Sequence, residues 1–263
     1  METSEATQAG PELCRLRLLV AYVGATFHGF AAQHGVTTVA GTLGAALERV
    51  LRHPVQLTCA GRTDAGVHAW GQVVSLDARC DADLGRLQRS LNKMLAPAIV
   101  VREATWAPEG FDARRWASSR TYRYHVLCSS VPDPLRAATE WHVGQPLDLR
   151  AMQQACYPLL GEHDFTSFCH GAPGASLVRR VLRAEWCGLG LGRLCFEIEA
   201  VAFCHQMVRS IVGTMVEVGL GRKKAGEMTS VLAARARAAS GPVAPAHGLC
   251  LWEVKYRPGA AKS

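Results

Sequence analysis

Apolar residues in this chain recur with two periods, and the switches between them mark out its elements. Residues 15–23 (Arg-Leu-Arg-Leu-Leu-Val-Ala-Tyr-Val) read as a buried strand. Leu43, Ala46, Leu47, Val50 and Leu51 recur at helical spacing and predict an amphipathic helix over about 40–52. Val55, Leu57 and Cys59 alternate, as does the stretch after Gly71, which predicts two strands around a turn. Leu84, Leu87, Leu91, Met94 and Leu95 predict a second helix, closed by Pro97. Strands follow near 98–106 and 120–128. Residues 129–147 hold three prolines and few apolar runs and read as a segment between domains.

The second half repeats the style. Met152, Ala155, Cys156, Leu159 and Leu160 predict a helix, with Asp148 as its N-cap. Strands near 178–188 and 193–201 flank Gly188-Leu189-Gly190-Leu191-Gly192. That turn joins two strands instead of opening a helix, so it reads as a hairpin, not a phosphate loop. A long helix over 204–219, a shorter one over 224–238 and a last strand over 248–256 complete the chain. The pattern predicts an α+β protein of two domains, 12–130 and 148–257, joined by a linker at 131–147, with loose tails at 1–11 and 258–263.

Composition narrows the class. The chain has 263 residues, 49% hydrophobic and 19% charged, which excludes a disordered or low-complexity protein. No run of 18 apolar residues predicts a membrane span. The N-terminus lacks a basic segment followed by an apolar one, so no signal peptide is expected. The ten cysteines form no Cys-x-x-Cys and read as reduced thiols of a cytosolic protein. Cys169 and His170 are adjacent, a poor spacing for zinc, and no metal is expected. A net charge of +7 fits a polyanionic partner.

Three stretches carry candidate chemistry. The first is Gly61-Arg62-Thr63-Asp64-Ala65-Gly66-Val67-His68-Ala69, a turn between strands. Its glycines permit a tight path or close approach of a ligand. Asp64 follows Arg62 by two residues, and a nearby guanidinium favours the ionised carboxylate that a nucleophile or base must be. A structural role for Asp64, capping the turn and pairing with Arg62, is equally open. The second is the helix over 204–219, where Arg209 is the one charged residue between His205 and Glu217. A cation on so apolar a helix needs a partner: Asp64, a phosphate, a substrate carbonyl or, by snorkelling, water. The third is Arg120-Thr121-Tyr122-Arg123-Tyr124, where cations alternate with rings on a strand. That suits phosphates and unstacked bases, or a packed sheet.

In this order the three stretches resemble the tRNA pseudouridine synthase A family. The likeness spans almost the whole chain. It includes Phe27-His28-Gly29-Phe30 with Gln33, Ser90-Leu91-Asn92 with Leu95 and Pro97, and Phe111 with Ala113 and Arg114. It continues through Gly161-Glu162-His163-Asp164-Phe165 with Phe168, Phe203 to Gly213, and Ala244-Pro245 with Gly248-Leu249. Two positions depart from the family pattern: Val23 follows Tyr22 where an aspartate is frequent, and Ala31 follows Phe30 where glutamine is usual.

The resemblance implies two α+β domains whose mainly antiparallel sheets meet in one platform, with a basic cleft between them. It implies a cytoplasmic homodimer, needing no cofactor, that isomerises uridine to pseudouridine at positions 38 to 40 of the tRNA anticodon arm. It assigns Asp64 as the catalytic aspartate and Arg62, Arg209 and Tyr122 as substrate-site residues, with Leu249 lining the uracil pocket. Whether Asp64 acts as nucleophile or as base stays open. Two other classes are open to the residues alone: an RNA-binding module without catalysis, and a metal-dependent nuclease built on Asp64, His68 and Asp77.

Overall fold

A computed structural model describes residues 12–169, 174 and 176–257. The tails at 1–11 and 258–263, and His170 of the zinc pair, lie outside them. The strands are β1 (Leu13–Tyr22), β2 (Thr58–Cys59), β3 (His68–Arg79), β4 (Ile99–Trp106), β5 (Ala117–Cys128), β6 (Trp141–Val143), β7 (Gly161–Asp164), β8 (Val178–Gly190), β9 (Arg193–Ala200) and β10 (Leu249–Tyr256). The helices are α1 (Val39–Leu51), α2 (Leu84–Leu95), α3 (Leu149–Gln154), α4 (Met207–Gly219) and α5 (Glu227–Ala234).

All ten strands join one sheet in the order β4-β1-β3-β10-β5-β9-β8-β7, with β2 paired to β3 and β6 to β5. The pairing is mostly antiparallel, as expected of the α+β class. The last strand does the joining. β10 runs parallel to β3, with Cys250 opposite His68, and antiparallel to β5, with Leu249 opposite Tyr124. The end of the glycine-flanked turn and the Tyr-rich strand therefore lie on either side of β10.

Local chemistry explains where helices begin. Thr38 accepts from Gly41 N–H at 3.2 Å, Asp83 from Arg86 N–H at 2.9 Å and Asp148 from Ala151 N–H at 3.0 Å, satisfying orphan donors of the first turns. The predicted Asp148 cap thus opens α3, but α3 ends at Gln154 and Pro158 sits in a separate 3-10 turn. The predicted 204–219 helix begins only at Met207, because Gln206 takes a left-handed backbone with φ 61°. The predicted 224–238 helix spans Glu227–Ala234 and stops at Arg235, with φ 45°. Within 129–147, β6 adds a short strand that no sequence period announced.

Leu16, Leu18 and Val20 of β1 are wholly buried with Leu43 and Leu47 of α1. The same contiguous core takes in Phe196 and Ile198 of β9 and Ile211, Val212 and Met215 of α4. Truncating one such leucine to alanine costs about 2–5 kcal/mol through lost transfer energy and the cavity left. The core therefore fixes α4 against the sheet.

The expectation of reduced thiols fails at one pair: Cys14 and Cys80 are bridged. The antiparallel register sets Cys14 opposite Ala78. That brings the Cα atoms of Cys14 and Cys80 to 4.9 Å, within disulfide reach. The other eight cysteines are free thiols.

Candidate active site

The turn between β2 and β3 is held from three sides. Gln72 donates to Gly61 O at 2.7 Å, and the Tyr22 hydroxyl meets Thr63 Oγ1 at 2.8 Å. The Arg120 guanidinium donates to Ala60 O at 2.9 Å, to Arg114 O at 2.8 Å and to Val201 O at 2.8 Å, so one cation ties three chain segments together. The segment before α1 supplies the third side, with Phe30 N–H on Thr63 O at 3.0 Å and Gly66 N–H on Phe27 O at 3.3 Å. Gly24 is obligatory there, since an added Cβ would lie 2.0 Å from Val67 O. Gly66 turns the loop with φ +78°.

Held in this way, the Asp64 carboxylate is 29% exposed and faces α4. Arg209 Nη1 lies 3.7 Å from Asp64 Oδ2, and His205 Nε2 lies 3.4 Å from Oδ1. Arg209 is itself oriented, because its Nε donates to Ala244 O at 2.7 Å. Arg209 thus has a carboxylate partner and a carbonyl partner, which answers the question posed by a cation on an apolar helix. Arg62, the local candidate partner, is exposed and makes no ion pair with Asp64 among the described residues. The Arg62–Asp64 pairing is thereby corrected: Asp64 takes its cation from the helix, through Arg209, and not from its neighbour in the turn.

A cleft of about 1190 Å³ opens over Asp64. Arg62, Tyr122, Arg209 and Leu249 all line it, so the five sequence-designated residues converge on one cavity. Arg114 and Arg179 add to its basic wall. Tyr122 is buried, its ring packed edge-on against Phe203 with centroids 5.0 Å apart. Burial, then the Asp64 charge, pushes its phenol above the ordinary range, so it stays protonated at neutral pH and offers a donor. Leu249 is 6% exposed, at the β10 end beside Tyr124.

Sequence reasoning passed over His205 as a ligand of Asp64, and also Phe203, Arg114 and Arg179. The one available signal was His205 as the last ionisable residue before the apolar helix.

The geometry also bears on the nuclease alternative. His68 accepts from Gly24 N–H at 3.1 Å through Nδ1 and bonds Ala138 O at 3.1 Å through Nε2, leaving no nitrogen for a metal. Asp77 pairs with Arg15 at 2.9 Å, away from the cleft lining. Among the described residues no three His, Cys, Asp or Glu side chains gather into a metal site. No described helix is long and apolar enough to cross a membrane.

The model of a family described as tRNA pseudouridine synthase matches residues 18–114 and 155–257, which hold Asp64, Arg209 and Leu249. This chain belongs to that family. Its members are isomerases acting on tRNA, and this chain is one of them. A tRNA pseudouridine synthase A of Frankia casuarinae is 45% identical, covering 94% of this chain and 90% of its own. One from Myxococcus xanthus is 40% identical and covers 93% of each chain. One from Brevibacillus brevis is 41% identical, covering 92% of this chain and 99% of its own.

Proposed function

We propose that this isomerase converts uridine to pseudouridine at positions 38 to 40 of the tRNA anticodon arm, with Asp64 acting directly on the everted nucleotide. The observation that carries the reading is Asp64 set at 3.7 Å from Arg209 in a basic cleft large enough for a nucleotide.

The reaction conserves atoms and electrons. The C1′–N1 bond breaks, the uracil turns over, C1′–C5 forms, C5 loses its proton and N1 gains one. The target base first leaves its stack, at a cost of a few kcal/mol by general experience with base flipping. Arg62 at the cleft mouth gains contacts to flanking phosphates that offset this cost. Tyr122 then borders the uracil and Leu249 closes its pocket. Asp64 either attacks C1′ as a nucleophile or removes a ribose proton as a base. Arg209 and His205 orient its two oxygens in both routes.

Site mapping of pseudouridine in tRNA incubated with the protein, without added metal, tests the substrate. Asp64→Asn tests the residue: pseudouridine formation is lost while tRNA still binds. Full turnover by that variant refutes the role of Asp64. Unmodified uridines with wild-type protein point instead to an RNA-binding module without catalysis. The family resemblance also proposes a homodimer, which sedimentation at micromolar concentration checks.

A further inference from the structure

The isomerisation needs a proton to leave C5, and in either route the carboxylate of Asp64 is engaged at the ribose. C5 loses that proton while bonded to C1′, so the acceptor has to stand beside Asp64. Among the described residues two side chains form ion pairs with this carboxylate. Arg209, 3.7 Å from Oδ2, is a guanidinium and keeps its protons throughout. His205, with Nε2 3.4 Å from Oδ1, is an imidazole, the side chain that both takes up and releases protons in neutral water. Tyr122 is no rival, because its buried phenol, pushed above the ordinary range, already carries a proton. The His205 side chain lines the cleft yet is 55% exposed, so a proton it receives has a way out to water. An uncommon backbone places the ring. Gln206, next in the chain, takes φ 61°, a left-handed conformation unfavourable for any residue but glycine. Such strain persists where its surroundings over-determine it, and it gathers at functional sites. Here Phe203 is packed on Tyr122 on one side of His205, and Arg209 is tied to Ala244 O at 2.7 Å on the other.

We propose that His205 is a second catalytic residue of this isomerase, its imidazole taking the C5 proton of the rotated uracil and passing it to water. The inference rests on the reading that Asp64 acts on an everted uridine. Atoms and electrons balance. Once C1′–C5 has formed, C5 is tetrahedral and carries one hydrogen. The C5–H bond breaks, its electron pair closes the C5–C6 double bond, and the C6–N1 pair moves onto N1. The imidazole gains the C5 proton, N1 takes a proton from water, and the imidazolium returns its proton to solvent. Nothing is oxidised or reduced, and no co-reactant beyond water is needed.

The full chain is assayed on tRNA transcribed with ordinary uridine or with uridine deuterated at C5, and pseudouridine is counted at all positions together. His205→Ala and His205→Gln are compared with wild type. The glutamine amide still offers a donor to Asp64 Oδ1 but cannot take a proton. With the side chain half exposed, neither change opens a cavity, and circular dichroism checks that both variants are folded. Both should bind tRNA as wild type does and lose kcat by about 10²–10⁴-fold, the contribution of a general base. Both should be slower again on the deuterated RNA, by a larger ratio than wild type shows, because breaking the C5–H bond becomes the slow step. Free imidazole should restore turnover to His205→Ala, and substituted imidazoles should do so in the order of their basicity. Turnover by His205→Gln at the wild-type rate overturns the proposal, since orienting Asp64 would then suffice. So does a slow pair of variants no more sensitive to deuterium than wild type, which leaves His205 a positioning residue. Counting pseudouridine at every position keeps the outcome independent of positions 38 to 40. Turnover that survives Asp64→Asn defeats the reading beneath the proposal, whereas turnover that survives His205→Gln defeats the proposal alone.

Discussion

Gly213→Ala sets helix propensity against packing. In the middle of a helix, alanine is favoured over glycine by about 1 kcal/mol. At Gly213 of α4, however, the added Cβ would lie 1.8 Å from Pro242 O and 2.9 Å from its carbonyl carbon. These are backbone atoms, which cannot rotate aside. Overpacking of this kind costs typically about 1–3 kcal/mol, and so severe a clash belongs at the top of that range. Sterics therefore win, and the net destabilisation is about 2 kcal/mol. For a chain of this size that lowers Tm by roughly 4–8 °C.

The segment displaced is the one that aims Arg209. Ala244 N–H donates to Arg209 O at 3.1 Å, and Arg209 Nε donates to Ala244 O at 2.7 Å. Turnover should therefore fall by more than the loss of folded protein explains. Gly44→Ala in α1 is the control, because its Cβ meets only Leu57 Cδ1, at 3.8 Å. It should stabilise by about 0.4–1 kcal/mol. Thermal and urea unfolding of both variants decide the matter. If Gly213→Ala matches or exceeds wild type, the close approach of residue 242 to α4 is wrong, and with it the account of how Arg209 is held.

Other outcomes follow from the site and its supports. Arg209→Met removes the cation beside Asp64 but keeps most of the side-chain volume, and kcat on tRNA should drop by about 100-fold or more. Arg62→Ala should weaken tRNA binding and lower the salt dependence of log K by about one phosphate contact, measured by titration at several salt concentrations. Burial lowers the His68 imidazole below its ordinary 6.5, while its Nδ1 accepts from Gly24 N–H. The folded state then binds fewer protons than the unfolded one below pH 6.5, so stability is lost as pH falls through that region and is regained as it rises. His125, lowered for the same reason, contributes in the same direction. His68→Gln should flatten, without abolishing, the slope of Tm against pH between about 6.5 and 5, and an unchanged slope rules out a neutral buried His68.

Much of the architecture was legible from periodicity. α1 and α2 match the helical spacing that predicted them, because each buries one face in a common core, and β1, β8 and β9 lie where strands were expected. What was missed has a shared cause. β6 and β7 hold three and four residues, too few to show a period, and exist by pairing with β5 and β8. Two helices were drawn too long because a single left-handed residue, Gln206 or Arg235, ends the regular backbone without changing the apolar pattern. The Cys14–Cys80 bridge was invisible for the same reason as the pairing register.

The candidate site divides in the same way. The glycine-flanked Asp64 turn and the lone Arg209 on an apolar helix could be singled out from chemistry alone, since both break rules that ordinary turns and buried helices obey. Nothing local could say that Arg209, and not neighbouring Arg62, would face the carboxylate, or that His205 would join it. That choice was made by β10, which inserts between β3 and β5 and so sets the first half of the chain against α4 of the second. Side-chain type and spacing are properties of short stretches and survive in the linear sequence. Which cation meets which carboxylate depends on sheet order and helix seating, and these are settled only when the whole core packs.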